Sequence, residues 1–201
     1  MDIKEIREKA KNDIKVNWQP IFVGFILTSV ALGVVGATGI GIIFMGPIMV
    51  GFSIYLLKVL RKKEFKTENL LDGFKNCFEN SLVAGILMAV FTFLWSLLFV
   101  IPGIVKAISY SMTPYILADN PKLTASEAID KSQEMMNGHK WEYFCMMLGF
   151  LGWIILSIFT FGILYVLYVG PYMKAAEGHF YNKLSGKKDE TIALDFDPDK
   201  Y

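Results

Sequence analysis

From Val16 to Leu57 the chain contains no Asp, Glu, Lys or Arg. An uncharged apolar run of about 18 residues or more reads as a membrane-spanning helix, because roughly 20 residues at 1.5 Å each cross the hydrocarbon. This run is long enough for two crossings. A second charge-free run lies between Glu79 and Lys106, and a third between Glu142 and Lys174. The hydrophobic share of 54% suits a chain built for lipid. A secretory leader is not expected, since the N-terminus alternates acids and bases and then enters an apolar run too long for a leader's core.

Each run carries a Gly or Pro break near its middle: Gly36 to Gly41, Pro102-Gly103, and Phe161-Gly162. Such residues punctuate helices, so each run reads as a helical hairpin. The expected spans are 20–38, 41–60, 80–101, 103–119, 142–160 and 163–182. The fold class is therefore all-α, a polytopic membrane bundle of six transmembrane helices. Charge sets its orientation. The basic residues fall as five in 1–15, six in 58–79, three in 119–142 and five in 174–201, leaving only Lys106. Lys and Arg concentrate on the cytoplasmic side, so both termini are expected there, in a bacterial cytoplasmic membrane.

The charged segments ahead of the hairpins have the period of amphipathic helices. Ile3, Ile6, Ala10 and Ile14 recur at helical spacing, as do Leu70, Leu71, Phe74 and Phe78, while Thr124-Ala-Ser-Glu127 matches a capping box. Such helices either lie in the headgroup layer with the apolar face down or pack on the inner mouth of the bundle. The pattern of cytoplasmic-face helix, span, turn, span recurs over about 1–64, 65–122 and 123–185. Met45-Gly46-Pro47-Ile48-Met49 answers to Val169-Gly170-Pro171-Tyr172-Met173, and Trp18 and Trp141 each mark a hairpin entry. Units in one orientation are parallel repeats about the membrane normal. Residues 1–185 then form the membrane domain, and 186–201 an acidic cytoplasmic tail expected to be disordered.

Ala128-Ile-Asp-Lys-Ser132-Gln-Glu-Met-Met136-Asn-Gly138-His-Lys-Trp141 resembles the entry motif of the DUF975 membrane proteins, bacterial proteins of unknown function. Its elements are Ala128, Ser132, Gly138 and Trp141. Ile101-Pro102-Gly103-Ile104, the Tyr115 to Asp119 stretch and Gly178-His-Phe180-Tyr181 also resemble that family, so the likeness runs from the N-terminus to about Leu184. The motif is similar as well to the membrane domains attached to some glycerophosphodiester phosphodiesterases. The resemblance implies a six-helix, cytoplasm-anchored membrane protein and carries over no catalytic residue.

Ionisable groups within a span are functional candidates, since each costs roughly 2.5 to 3.5 kcal/mol at the helix centre. Lys106 lies about four residues past Pro102, roughly 6 Å in at 1.5 Å per residue. It either snorkels to the outer interface or faces a cavity open to the outside. Lys174 and Glu177 sit deeper, roughly 12 Å from the cytoplasmic end by comparison with the first unit. Their i, i+3 spacing lets them meet on one helix face, and Ala175, Ala176 and Gly178 let another helix approach closely. They form either a self-neutralising ion pair or a polar patch for a substrate, lipid headgroup or proton.

Other chemistry is thinly represented. Cys77 and Cys145 are isolated and expected to stay reduced thiols. His139 and His179 with Glu142 and Glu177 lack the tight spacing of a metal site, so no metal or cofactor is expected. The net charge of +1 gives no basic stripe for nucleic acid. Three kinds of function follow. A non-enzymatic module that binds lipid or peptide, or supports a partner protein or a second copy, fits best. A small transporter or channel component using Lys174 and Glu177 is the alternative. An intramembrane enzyme would need a nucleophile or metal that no motif supplies.

Overall fold

The computed structural model describes residues 3–37, 41–61, 63, 65–75, 77–98, 100–160 and 162–186. The first hairpin turn at 38–40 and the tail at 187–201 lie outside the described residues. Among those described, the chain is helical throughout, with no strand.

Helix α1 (Ile3–Val16) buries Ile6, Ala10 and Ile14, the stripe its period predicts. Next come α2 (Trp18–Ala37) and α3 (Gly41–Leu60), which pack together. A 3-10 turn (Thr67–Leu71) runs into α4 (Asp72–Lys75), and α5 (Phe78–Leu98) follows. The remaining helices are α6 (Val100–Tyr110), α7 (Thr113–Asp119), α8 (Ala125–Met135), α9 (Lys140–Leu148), α10 (Leu151–Phe159) and α11 (Gly170–Leu184). Among the described residues three helices are long and apolar enough to cross a membrane: Trp18–Gly36, Phe78–Leu97 and Lys140–Phe159, the last comprising α9 and α10. Phe44–Leu60 is a shorter apolar helix.

The second and third hairpins differ from the continuous helices that the sequence predicts. The stretch expected as 103–119 breaks at Ser111–Met112, where Pro114 has no N–H to continue the backbone bonds of α6 and instead sits in the first turn of the next helix. The stretch expected as 142–160 loosens at Gly149–Phe150, and Arg7 Nη2 donates to the Gly149 carbonyl at 3.3 Å. The stretch expected as 163–182 opens with a π-helical turn, Tyr165–Val169, ahead of Gly170 and Pro171.

Helix α3 is the hub. It touches α2, the 3-10 turn, α4, α5, α7 and α11. From Val50 to Leu60 every side chain except Lys58 is buried, as expected of a helix with partners all round. Elsewhere the apolar surface faces outward. Val34 of α2, Phe93 and Leu97 of α5, Ile101 of α6 and Ile158 and Phe159 of α10 are all exposed, the pattern of a surface meant for acyl chains.

All three charged segments pack on protein. α1 lies along α11, with Glu5 bonded to Lys183 at 2.6 Å and the Tyr172 hydroxyl donating to the Arg7 carbonyl at 3.0 Å. Lys183, and after it Lys9, hold the Glu5 carboxyl below the usual carboxylate range. α8 starts on the capping box: Thr124 N–H donates to Glu127 Oε2 at 2.8 Å, and Glu127 N–H to Thr124 Oγ1 at 3.4 Å. It buries Ala125, Ala128, Ile129 and Ser132. The segment at 67–75 packs on α3, burying Gly73 against it while leaving Leu71 exposed.

Close backbone approach sets the helix spacing. A Cβ at Gly46 would come 1.9 Å from the Ser81 carbonyl oxygen, and one at Gly51 would come 2.0 Å from that of Leu70. Both obstacles are main chain and cannot swing aside. Gly33, by contrast, has nothing within 4 Å of its Cβ position. Gly46→Ala and Gly51→Ala should therefore each destabilise the protein by about 1–3 kcal/mol, the usual cost of overpacking, while Gly33→Ala leaves stability unchanged or slightly raised. Thermal unfolding of the three purified variants in detergent checks this.

Candidate functional site

The last helix is shaped to carry a polar group inward. The π turn at Tyr165–Val169 leads into Gly170, where a Cβ would lie 2.3 Å from Cζ of Phe25, so α2 and α11 touch there. Pro171 sits in the first turn, where its missing N–H costs little. One turn on, Ala175 and Ala176 are fully buried, and Gly178 admits Leu60 and Leu56 of α3.

The i, i+3 spacing brings Lys174 and Glu177 together. Lys174 Nζ donates to Glu177 Oε2 at 2.9 Å, and the buried Tyr115 hydroxyl donates to the same oxygen at 3.2 Å. Tyr143 of α9 also interacts with Glu177, and with Ser111. The glutamate side chain is 11% exposed and the lysine 31%, so the glutamate is the more deeply sunk of the two. Beside the pair lies a cavity of about 90 Å³ between α2, α3, the α6–α7 break and α11. Its polar lining is Lys174, Glu177 and the hydroxyls of Thr28, Ser29, Ser53, Ser111 and Tyr115. A site this size, with these polar groups set among Phe25, Leu32, Met49, Phe52 and Pro114, can hold a few waters or the end of a head group.

The hydroxyls escape a reading of the sequence, because a Ser or Thr in a helix can satisfy itself on the carbonyl four residues back and looks inert. A signal was present nonetheless. Thr28 and Ser29 are the only Ser or Thr residues of α2, Ser53 is the only one of α3, and all three line the cavity.

A second polar cluster, also missed, lies one turn further along. Arg61 holds Asp119 in a two-armed fork, with Nη2 to Oδ2 at 2.9 Å, and its Nε donates to Asn182 Oδ1 at 2.9 Å. The Tyr181 hydroxyl donates to Asp119 Oδ2 at 2.8 Å. Tyr181 stacks on Tyr115 with ring centroids 5.5 Å apart, so the fork adjoins the Glu177 site through two aromatic rings. Arg61 lies just past α3, Asp119 ends α7 and Asn182 lies near the end of α11. Burial of the fork, 11% and 9% exposed, rather than any linear motif, marks it as a clasp.

Lys106 has a partner on another helix. Its Nζ donates to Gln133 Oε1 of α8 at 3.1 Å and stands 5.3 Å from the centroid of Trp95 and 5.9 Å from that of Tyr110. α8 packs against both α5 and α6, which puts Gln133 within the lysine's reach. The entry motif resolves into packing roles: Ala128 and Ser132 are fully buried one helical turn apart, and the Ser132 hydroxyl donates to the Ser109 carbonyl at 2.7 Å. Gly138 takes a left-handed turn at φ 81°, and Trp141 is 72% exposed. His139 bonds Glu142 on its own helix, and His179 bonds Asp13 of α1. Among the described residues no group of three His, Cys, Asp or Glu could hold a metal ion.

Two substitutions separate clasp from site. Asp119→Ala should cost about 3–5 kcal/mol, because it strands the Arg61 charge in a buried setting. Lys174→Met should destabilise the protein by leaving Glu177 without its cation, and adding Glu177→Leu should recover much of the loss. Melting temperatures in detergent check both, and three equal values for wild type, single and double variant would mean the pair is not buried.

No curated protein and no solved structure matches the chain. The family described as "Protein of unknown function (DUF975)" matches residues 1–109 and 97–188, which together take in nearly the whole chain. The chain belongs to the DUF975 family.

Proposed function

We propose that this protein is a non-enzymatic membrane module that binds a membrane lipid through the Lys174–Glu177 cavity. The observation that carries the reading is the layout of its hollows. The polar cavity shares Thr28 with an almost wholly apolar groove of about 370 Å³ that includes Leu27, Ile48 and Leu70. It shares Met49 and Pro114 with another of about 470 Å³ that includes Met45, Met88 and Phe93. A pocket that clusters polar groups between two apolar troughs suits an amphiphile, head in one and chain in another. In this reading the bundle crosses a bacterial cytoplasmic membrane six times as three repeated hairpins with both termini inside. α3, the α6–α7 pair and the π turn with α11 then complete crossings alongside the three longer helices. A protein partner or a second copy joins it on the outward apolar surface. The entry motif also supports a kinship with the membrane domains fused to glycerophosphodiester phosphodiesterases, without their chemistry.

A small transporter or channel component is the second reading, and one observation favours it. The helix interruptions at Ser111–Met112 and Tyr165–Val169 lie next to the polar pair, and discontinuous helices form substrate sites in many transporters. Native mass spectrometry of the protein released from lipid nanodiscs, beside Lys174→Met/Glu177→Leu, tests the first reading. A stoichiometric lipid adduct on the wild type that is absent from the variant is the expected result. Equal adducts on both would remove the cavity from the account, and solute flux in liposomes that the double variant abolishes would move the function to transport.

A further inference from the structure

The chemistry of the head group can be read from where the cavity's protons go. A hydroxyl has one proton to give and two lone pairs to offer. Thr28 Oγ1 spends its proton on the Gly24 carbonyl, Ser53 Oγ on Met49, and Ser111 Oγ on Ile108, each at 2.8 Å. Tyr115 gives its proton to Glu177. What these four groups and the carboxylate turn toward a ligand is therefore oxygen lone pairs, while Ser29, exposed in the same lining, can give a proton or accept one. The one group with several N–H donors in the lining is Lys174, which commits a donor to Glu177. The cavity asks for a ligand that donates to the carboxylate and the hydroxyl oxygens and accepts from Lys174.

Charge narrows the choice further. Lys174 and Glu177 sum to zero, and an unpaired charge in a low-dielectric site is expensive. A cation alone would leave the site positive, and an anionic head alone would leave it negative. A zwitterion keeps the balance, its ammonium on Glu177 and the hydroxyl oxygens, its phosphate on Lys174. A quaternary ammonium has no N–H to give. On these grounds we infer that the site holds the primary ammonium and phosphate of a phosphoethanolamine lipid head. One acyl chain lies in the groove of Met45, Met49, Met88 and Phe93. The flexible methionines suit an irregular chain, and Met49 and Pro114 join that groove to the cavity. This assignment rests on the lipid-binding reading above.

The experiment compares dioleoyl phosphatidylethanolamine, phosphatidylcholine and phosphatidylglycerol at equal mole fraction in nanodiscs. Retained lipid is counted by native mass spectrometry, and soluble phosphoethanolamine is added as a competitor. Wild type should retain phosphatidylethanolamine about tenfold over the other two, the scale of a charge-assisted hydrogen bond. Glu177→Gln should reverse the preference toward phosphatidylglycerol, since Lys174 then stands alone. Thr28→Val, which keeps the side-chain shape, should narrow the phosphatidylethanolamine preference and leave phosphatidylcholine retention unchanged. Equal retention of all three lipids by wild type would overturn the head-group assignment and leave lipid binding intact. No retention above bulk composition would overturn both. Full displacement by soluble phosphoethanolamine would overturn the chain's place in the groove.

Discussion

A helix in hydrocarbon gains little by hiding leucine, because lipid tails are as apolar as leucine itself, and close van der Waals contact must hold the bundle together. The structure depends on α3 for that contact. At Gly46 and Gly51 the main chain of α3 comes so near Ser81 and Leu70 that even a methyl group would collide. Gly178 makes room for the side chains of Leu60 and Leu56 where α11 crosses α3. Everything else is hung on this hub. α2, α5, α7 and α11 each take one side of it, and the polar residues meet in the gaps it leaves.

Those polar residues obey the cost of placing charge in a poor solvent. The Arg61–Asp119 fork and the Lys174–Glu177 pair each neutralise themselves, and hydrogen bonds from Tyr181 and Tyr115 satisfy the carboxylates further. The two differ in exposure. Both partners of the fork are sunk, whereas Lys174 stands 31% exposed over a cavity. A fully closed pair works as a clasp on three helix ends. The Lys174–Glu177 pair instead borders a hollow that the hydroxyls of α2, α3 and the α6–α7 break also line.

Much of this was legible beforehand, for identifiable reasons. Thr124 and Glu127 cap α8 because the motif is local and its bonds lie within one turn. Lys174 and Glu177 meet because an i, i+3 spacing brings two side chains together on any helix. The partner of Lys106 was not legible, for the opposite reason. That partner, Gln133, is 27 residues away on another helix, and no periodicity in α6 points there. Arg61, Asp119 and Asn182 were hidden likewise, since each is an ordinary polar residue at a helix end until three ends converge.

The sequence by itself determined the all-helical class, most helix boundaries, the partition of charge and the membership of the lysine and glutamate in one pair, all of which rest on composition or on contacts within a turn or two. Only the tertiary structure decided that the α6–α7 and α9–α10 helices break, that α1 and α8 lie on protein, and that Thr28, Ser53 and Ser111 share a cavity with Glu177. These depend on which faces of distant helices come within reach, and that is settled by the summed packing around α3 rather than by any local run of residues.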